Sequence, residues 1–349
     1  MRRILLIAIV ILVVAGAGAA VWLLVGAEKP YKGYEGNEQF VEIPPGAGPA
    51  LIGRRLTESG VVRDPVSFRA ALARSGQARR LQAGEYRFDQ PMSAREVIDK
   101  LARGDVFLRP ITFPEGLTIQ QMAQIYERDG GGSRADFVAA ARNAALIRDI
   151  DPAAPDLEGY LFPNTYSLPR RITAEQLVQQ MVTAFRDVLT QEIVQRAADR
   201  GLTVRQLIAL ASLVEKETAK PEERPLVAAV YTNRLRIGMG MQCDPTVIYA
   251  LERAGKYTGN LTRENLQFDS PYNTYRYAGL PPGPIAAPGR ASIEAASAPA
   301  EVPYLYFVSR NDGSHVFATT LDEHNRNVNE FQRRPAPEET QKKHRKQQS

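Results

Sequence analysis

The chain has 349 residues, more than one hydrophobic core usually organises, so we expect at least two structural units. Its composition, 44% hydrophobic and 24% charged, excludes fibrous and largely disordered proteins. The net charge of +5 is partly carried by the two ends of the chain. Because no folded segment concentrates basic residues, we expect no nucleic-acid partner.

The first predicted element is a membrane anchor. Arg2 and Arg3 precede an uncharged run from Ile4 to Val25, long enough as a helix to cross a hydrocarbon layer of roughly 30 Å. Arginines before the run and none directly after it predict a single-pass segment in the inner (cell) membrane, with residues 1–3 cytoplasmic and the rest extracytoplasmic. A cleaved signal peptide is the alternative, because small residues at 15–20 follow the apolar core. The apolar run continues through 21–25, which favours an uncleaved anchor.

Cys243 is the one cysteine, so no intramolecular disulfide is possible and the exported part must be stable through its core. It precedes Asp-Pro in a predicted turn. A cysteine nucleophile would want a histidine partner, and the chain has only three histidines. We therefore interpret Cys243 as a half-buried packing residue.

After a linker at 26–38, residues 39–105 predict a small α+β module in the order β-α-α-β-α. Hydrophobic alternation indicates strands near 40–43 and 81–88, and helical spacing indicates helices at 50–59, 65–75 and 93–103. Ser93 lies three residues before Glu96, which is the pattern of a capping box.

Residues 106–333 predict a second unit, and residues 334–349 a disordered tail. We expect a strand at 107–113, helices at 118–128 and 134–143, one long amphipathic helix at 173–200, and further helices at 204–218, 222–235 and 321–332. Asn311-Asp-Gly313 predicts a hairpin between strands at 304–308 and 315–319.

Glu215 and Glu217 are the residues most indicative of chemistry. They lie late in a largely apolar helix, where burial and the negative helix end both raise a carboxyl pKa. At about 100° per residue the two side chains point roughly 160° apart, so they are not a paired catalytic dyad. Either glutamate could instead pair with an arginine such as Arg224, Arg234 or Arg236. From the residues alone, one catalytic and one structural glutamate is the natural interpretation.

Several ordered motifs resemble one known family. They are Glu158-Gly-Tyr-Leu-Phe-Pro163, Ala211-Ser-Leu-Val-Glu-Lys-Glu-Thr218, Asn233-Arg-Leu-Arg-Ile-Gly238, Asp244-Pro-Thr-Val-Ile-Tyr249, Tyr272-Asn-Thr-Tyr275, Gly279-Leu-Pro-Pro-Gly283, and Tyr304-Leu-Tyr-Phe-Val308 followed by His315. The chain is similar here to the endolytic murein transglycosylases of the YceG-like family. Cys243 is a departure, since the family often has a small polar residue in that position.

The resemblance implies a membrane anchor, a LysM-like module and a mixed α/β catalytic domain built around a largely buried helix. It implies cleavage of the bond between N-acetylmuramic acid and N-acetylglucosamine inside peptidoglycan glycan strands, leaving a 1,6-anhydromuramyl end. Glu217 matches the family's catalytic acid and would serve as general acid and then base. By analogy, the implied partners are glycan strands and peptidoglycan synthases of the same membrane.

A second group of residues is predicted to bind the glycan. Their polar tips and flat faces suit sugar hydroxyls, acetamido groups and rings, although for Asp244 a turn or helix-cap role is equally compatible with the sequence. These residues are Gln242, Asp244, Thr246, Tyr272, Asn273 and Tyr275.

Two other functions compete with this prediction. A non-catalytic wall-binding or division-scaffold protein could use the same cleft, although a pure binder gains nothing from a shielded carboxyl group. A metal-dependent hydrolase would need His315, Glu323 and His324, whose spacing matches no familiar ligand pattern. We therefore expect no metal and no cofactor, and interpret His315 as a packed or hydrogen-bonded residue.

Overall fold

The computed structural model describes residue 14 and residues 28–333. The predicted anchor, apart from Val14, and the predicted tail lie outside the described residues. Among the described residues, no helix is both long and apolar enough to cross a membrane. The described part of the chain divides into two compact units, one of residues 28–109 with 167–171 and one of residues 110–166 with 172–333.

The first unit is a small α+β module with the predicted element order. Its elements are β1 (Gln39–Ile43), α1 (Pro49–Glu58), α2 (Pro65–Ser75), β2 (Gly84–Phe88) and α3 (Ala94–Arg103). The two strands pair antiparallel, and the helices close over their apolar face with Leu56, Phe68 and Ile98. Ser93 and Glu96 form the predicted capping box at the start of α3.

The remaining elements are mostly helical. They are β3 (Arg109–Thr112), α4 (Ile119–Arg128), α5 (Arg134–Ala141), β4 (Thr165–Leu168), α6 (Ala174–Val188), α7 (Gln191–Asp199), α8 (Val204–Glu217), α9 (Arg224–Arg236), α10 (Asp244–Arg253), α11 (Arg290–Ser297), β5 (Tyr306–Ser309), β6 (His315–Ala318) and α12 (Leu321–Val328). β3 pairs with β4, and β5 pairs with β6 in the predicted antiparallel hairpin. The α+β class is confirmed, although helices dominate the part predicted as mixed α/β.

Helix α8 lies at the centre of the second unit. Thr203 and Gln206 form a capping box at its start, and every residue from Leu207 to Val214 is buried. Helices α7, α9, α10 and α11 all pack against it. A helix covered on so many sides can carry polar side chains only at its ends, and this is where Glu215 and Glu217 lie.

Three predictions of secondary structure were wrong or incomplete. The single long helix at 173–200 is two helices, because the chain leaves helical geometry at Leu189 and Thr190 caps a new helix by accepting from the Ile193 N–H. The predicted turn at Asp244 is the first residue of α10, whose Pro245 suits a helix start. The short elements β4 and α11 were not predicted.

Two glycines of the second unit provide a matched test of its packing. Both have positive φ, +82° at Gly159 and +74° at Gly201, but a Cβ at Gly159 would overlap the Pro284 side chain whereas one at Gly201 would meet open space. We expect Gly201→Ala to lower the free energy of unfolding by roughly 1–2 kcal/mol from backbone strain alone. Gly159→Ala should lower the free energy of unfolding by roughly 2–5 kcal/mol, because the new Cβ adds a steric overlap with Pro284 to the same backbone strain. Urea unfolding of the full-length variants measures both, and equal effects would contradict the assigned contact with Pro284.

Candidate functional site

Glu217 is the last residue of α8, and its side chain is held by two neighbouring elements. Its Oε1 accepts a hydrogen bond from the Tyr231 hydroxyl of α9 at 2.9 Å. The same oxygen accepts one from the Cys243 thiol, directly before α10, at 3.0 Å. Within the described residues Oε2 has no hydrogen-bond partner on the protein, and Glu217 is partly exposed. The carboxyl group is therefore fixed through one oxygen and presents the other.

The surroundings favour the protonated form of this carboxyl group. Burial is the largest influence and raises the pKa of Glu217, and the negative charge of Asp244 acts in the same direction. The hydrogen bonds from Cys243 and Tyr231, and the charge of His315, lower this pKa but do not cancel the rise. Burial also raises the pKa of both Tyr231 and Cys243, so each keeps the proton that it donates.

Glu215 has quite different neighbours. Its Oε2 accepts from the backbone N–H of Gly289, the residue that caps α11, at 2.9 Å. Its Oε1 lies 3.6 Å from a guanidinium nitrogen of Arg224, and its side chain is only 7% exposed. The predicted divergence of the two glutamates is confirmed, as is the arginine pairing considered for one of them. Glu215 joins α8 to α11 and has the contacts of a structural residue.

His315 lies in a third group of polar contacts, next to the end of α8. The carboxylate of buried Glu223 accepts from the His315 backbone N–H at 2.8 Å, from its Nδ1 at 2.7 Å and from the Thr218 hydroxyl at 3.0 Å. Burial opposes ionisation of Glu223, but these hydrogen bonds prevail and lower its pKa. His315 is thus the hydrogen-bonded residue that the sequence indicated, and it fixes Thr218 and the adjacent Glu217 indirectly.

Four of the six predicted glycan-binding residues are accessible. The Tyr275 hydroxyl donates to Asp244 Oδ1 at 2.6 Å, and both side chains are exposed. Gln242 is exposed and has a φ of +49°, an uncommon backbone conformation for a residue with a side chain. Tyr272 is half-buried, with its ring 5.0 Å from that of Tyr249. Gln242 and Asp244 are the chain neighbours of Cys243, and Tyr275 is joined to this segment through Asp244.

Thr246 and Asn273 do not suit the predicted role, because both are completely buried. The Thr246 hydroxyl donates to the Cys243 carbonyl at 2.6 Å. The Asn273 amide donates to the carbonyls of Leu266 and Phe268 at 3.0 and 2.7 Å. Both side chains therefore hold loops in place, and we assign them to the scaffold of the site. The sequence could not distinguish these roles, since polar residues in a loop suit either.

Two residues in contact with Glu217 were not predicted as part of the site. Tyr231 directly follows the apolar run Leu226–Val230, which indicates a core position, and the sequence favours a packing role for Cys243. No sequence spacing links them to Glu217, because each comes from a different helix or loop. Among the described residues, no group of three or more histidine, cysteine or acidic side chains could hold a metal ion.

The fold and the site define an α+β protein in which one shielded carboxylic acid faces an accessible polar surface. The chain belongs to the YceG-like family, whose match covers residues 41–330. The resemblance noted from the motifs is therefore confirmed.

Individual relatives agree with this membership. The endolytic murein transglycosylase of Bacillus subtilis (strain 168) is 32% identical over 302 residues, an overlap of 82% of each chain. That of Streptococcus pneumoniae serotype 2 (strain D39 / NCTC 7466) is 32% identical over 320 residues, which are 83% of this chain and 58% of the relative. The crystal structure of a YceG-like protein from Listeria monocytogenes superposes with a TM-score of 0.57 at 31% identity, covering 83% of this chain and 98% of that one.

The structural role of Glu215 can be tested by Glu215→Gln. The amide can still accept from the Gly289 N–H. The buried Arg224 loses its nearest carboxylate, that of Glu215, but keeps the carboxylate of the half-exposed Glu115 at 3.8 Å. We expect the free energy of unfolding to fall by about 1–3 kcal/mol, less than for a fully unpaired buried charge because Glu115 remains. Glu294→Gln is the control, since its pair with Arg290 is exposed and should contribute under about 0.5 kcal/mol. Comparable losses in the two variants would argue against a structural Glu215.

Proposed function

We propose that this chain is a lytic transglycosylase that cuts peptidoglycan inside its glycan strands. Membership of the YceG-like family and the names of the relatives support the reaction class. The observation that carries the assignment to particular residues is the geometry of Glu217, a carboxyl group held by two neutral donors on one oxygen and, among the described residues, unpartnered on the other. Burial raises the pKa of Glu217, which favours the proton-carrying form that a general acid needs.

In the first step, Glu217 acts as general acid. Its Oε2 proton passes to the oxygen of the bond between N-acetylmuramic acid and N-acetylglucosamine, and the bond from that oxygen to the muramyl C1 breaks. The released sugar leaves with a free hydroxyl group. General acid catalysis of this kind contributes about 10²–10⁴ in rate.

In the second step, the resulting carboxylate acts as base. It takes the proton of the muramyl C6 hydroxyl as that oxygen attacks C1, which closes the 1,6-anhydro ring and restores the acid. The nucleophile belongs to the substrate, so no water has to be positioned and one carboxyl group can serve both steps. Ordinary glycosidases instead use two carboxyl groups, one of them to activate water or to attack the sugar.

Accessible groups on the segments around Cys243 and Tyr275, near Glu217, supply the binding surface, and Tyr272 extends it toward Arg253, whose guanidinium lies 5.4 Å from the Tyr272 ring. Gln242 and Asp244 can hydrogen-bond to sugar hydroxyl and acetamido groups, and Tyr272 and Tyr275 offer flat faces to the rings. Asp244 also supports a second candidate, a hydrolase in which it activates water, because its charge already acts on Glu217. The chemical form of the product distinguishes the two reactions.

We further propose that residues 4–25 anchor the chain in the membrane and that residues 39–105 form a LysM-like module. The sequence pattern of the run from Ile4 to Val25 supports an anchor with a cytoplasmic N-terminus. Such an anchor would hold the enzyme beside newly made glycan and the synthases of the same membrane.

The proposal predicts that Glu217→Gln abolishes cleavage without unfolding the site, because the amide oxygen can still accept from Tyr231 and Cys243. Full-length wild type and variant would be incubated with purified peptidoglycan, and fragment ends identified by mass spectrometry. Anhydromuramyl ends from the wild type, reduced at least about 10²-fold in the variant, are expected. Reducing muramyl ends that also require Asp244 would favour the hydrolase, and glycan binding without cleavage by the wild type would favour a scaffold protein.

The two donors to Glu217 predict shifts in the pH dependence of activity. Tyr231→Phe and Cys243→Ala each remove a hydrogen bond that stabilises the ionised carboxyl group, so the pKa of Glu217 should rise further. A general acid is lost as pH rises through its pKa, and we therefore expect the basic limb of kcat/KM to move upward, by up to about one unit per donor. Cys243→Ser keeps a donor and should leave this limb unchanged or move it downward. If the basic limb moved upward in Tyr231→Phe, Cys243→Ala and Cys243→Ser alike, or in none of them, the assigned hydrogen bonds to Glu217 would be excluded.

A further inference from the structure

A polar cavity lies in the second unit, and Glu217 is not among the residues that line it. Its volume is about 760 Å³, and its walls come from α4, α5, the loop before Glu158 and the C-terminal end of α10. Neither Glu217 nor any residue that contacts its carboxyl group lines this cavity. Nothing in the proposed cleavage reaction uses it.

Three arginines line the cavity, and none has an ion-pair partner within the described residues. The Arg134 guanidinium donates only to the neutral Gln120 side chain, at 2.9 Å. Arg253 donates to the Tyr249 hydroxyl at 3.2 Å, and its guanidinium lies 5.6 Å from that ring. Arg142 is exposed and has no side-chain hydrogen bond in the described part of the chain. Three cations left unpaired around one cavity indicate an anionic ligand group.

The cavity also carries acidic groups. Asp156 and Glu252 line it without a cation at ion-pair distance among the described residues, and Glu158 forms its buried floor. The Glu158 carboxyl group accepts from the Ile119 N–H at 3.0 Å and from the Tyr249 hydroxyl at 3.2 Å. Burial raises the pKa of Glu158 to about 8, so this floor is mostly uncharged at neutral pH and the accessible anions are Asp156 and Glu252. A ligand with both carboxylate and ammonium groups would complement these walls.

Peptidoglycan offers such a group only on its peptide. The N-acetylated sugar rings carry no ammonium, and the lactyl carboxyl of muramic acid is consumed in the link to the peptide. The stem peptide, by contrast, ends in a carboxylate, contains further side-chain or α-carboxylates and includes a diamino acid. A mixed-charge cavity therefore selects the peptide rather than the glycan backbone.

The distance between the two sites matches the reach of that peptide. Cys243 and Asp244 at the start of α10 lie at the Glu217 site, and Arg253 ends the same helix at the cavity. Ten helical residues span roughly 15 Å, and a stem peptide of about five residues extends to roughly 17 Å. We propose that the cavity lined by Arg134, Arg142, Arg253, Asp156 and Glu252 binds the stem peptide of the muramic acid residue at the cleavage site. This proposal rests on the function proposed above and identifies the part of the substrate that the enzyme recognises.

The test compares glycan strands that carry stem peptides with strands from which an amidase has removed them. Full-length Arg134→Gln and Arg142→Gln should each raise KM for the peptide-bearing strands roughly tenfold and leave kcat unchanged, while kinetics on peptide-free strands should match wild type. Arg148→Gln is the control, because this exposed arginine makes the same charge change outside the cavity. Equal KM values of the wild type for both strands, or equal effects of the variants on both strands, would overturn the proposal.

A binding measurement keeps the two proposals separate. Calorimetry with free stem peptide and the full-length Glu217→Gln variant requires no cleavage. Binding that weakens roughly tenfold on adding Arg142→Gln, but not Arg148→Gln, supports the cavity even if the wild type proves unable to cut glycan. Absence of binding at millimolar peptide would overturn the inference while leaving the cleavage assignment untouched.

Discussion

The burial of α8 determines how the rest of the second unit is arranged. Eight consecutive residues of this helix are buried, so its charged side chains lie in its first and last turns, with Arg205 in the first and Glu215 and Glu217 in the last. A carboxyl group at that position faces both desolvation and the negative end of the helix, and each must find donors in a neighbouring element. Glu215 obtains a backbone N–H and an arginine, whereas Glu217 obtains a hydroxyl and a thiol. The two glutamates therefore differ in their partners: Glu215 is held by a backbone N–H and a cation, and Glu217 by two neutral donors.

The position of Cys243 depends in turn on a small buried network. The Cys243 N–H donates to the Thr274 hydroxyl at 3.1 Å, and the hydroxyls of Thr246 and Thr274 lie 2.9 Å apart. The Asn273 side-chain amide holds the loop that carries Thr274 in place by donating to the backbone carbonyls of Leu266 and Phe268. These contacts fix the start of α10 against the loop that carries Tyr275. The buried residues of two motifs therefore contribute rigidity, and their exposed neighbours are left to contact a ligand.

The structural features that could be predicted from the sequence are those that depend on local periodicity and short-range spacing. The opposite directions of Glu215 and Glu217 follow from helical geometry, and the capping box of Ser93 with Glu96 and the hairpin follow from short-range spacing. The sequence could not predict which donors reach Glu217, because Tyr231 and Cys243 come from elements placed by tertiary packing. The break at Leu189 was hidden, since the apolar stripe continues across it in α6 and α7. The burial of Thr246 and Asn273 was likewise invisible, because a polar loop residue gives the same pattern whether it faces a ligand or the core.

The two neutral donors to Glu217 suit the proposed reaction, in which this carboxyl group is first acid and then base. An arginine in contact with Glu217 would hold it ionised and remove the proton needed for the first step, whereas a wholly apolar pocket would prevent the carboxylate from forming. Hydrogen bonds to a charged acceptor are stronger than those to a neutral one, so Tyr231 and Cys243 stabilise the carboxylate more than the acid. Their contribution therefore grows as the proton leaves Glu217, which in the proposed reaction is when the glycosidic bond breaks. Stabilisation that increases along the reaction lowers the barrier, while equal stabilisation of both states would not.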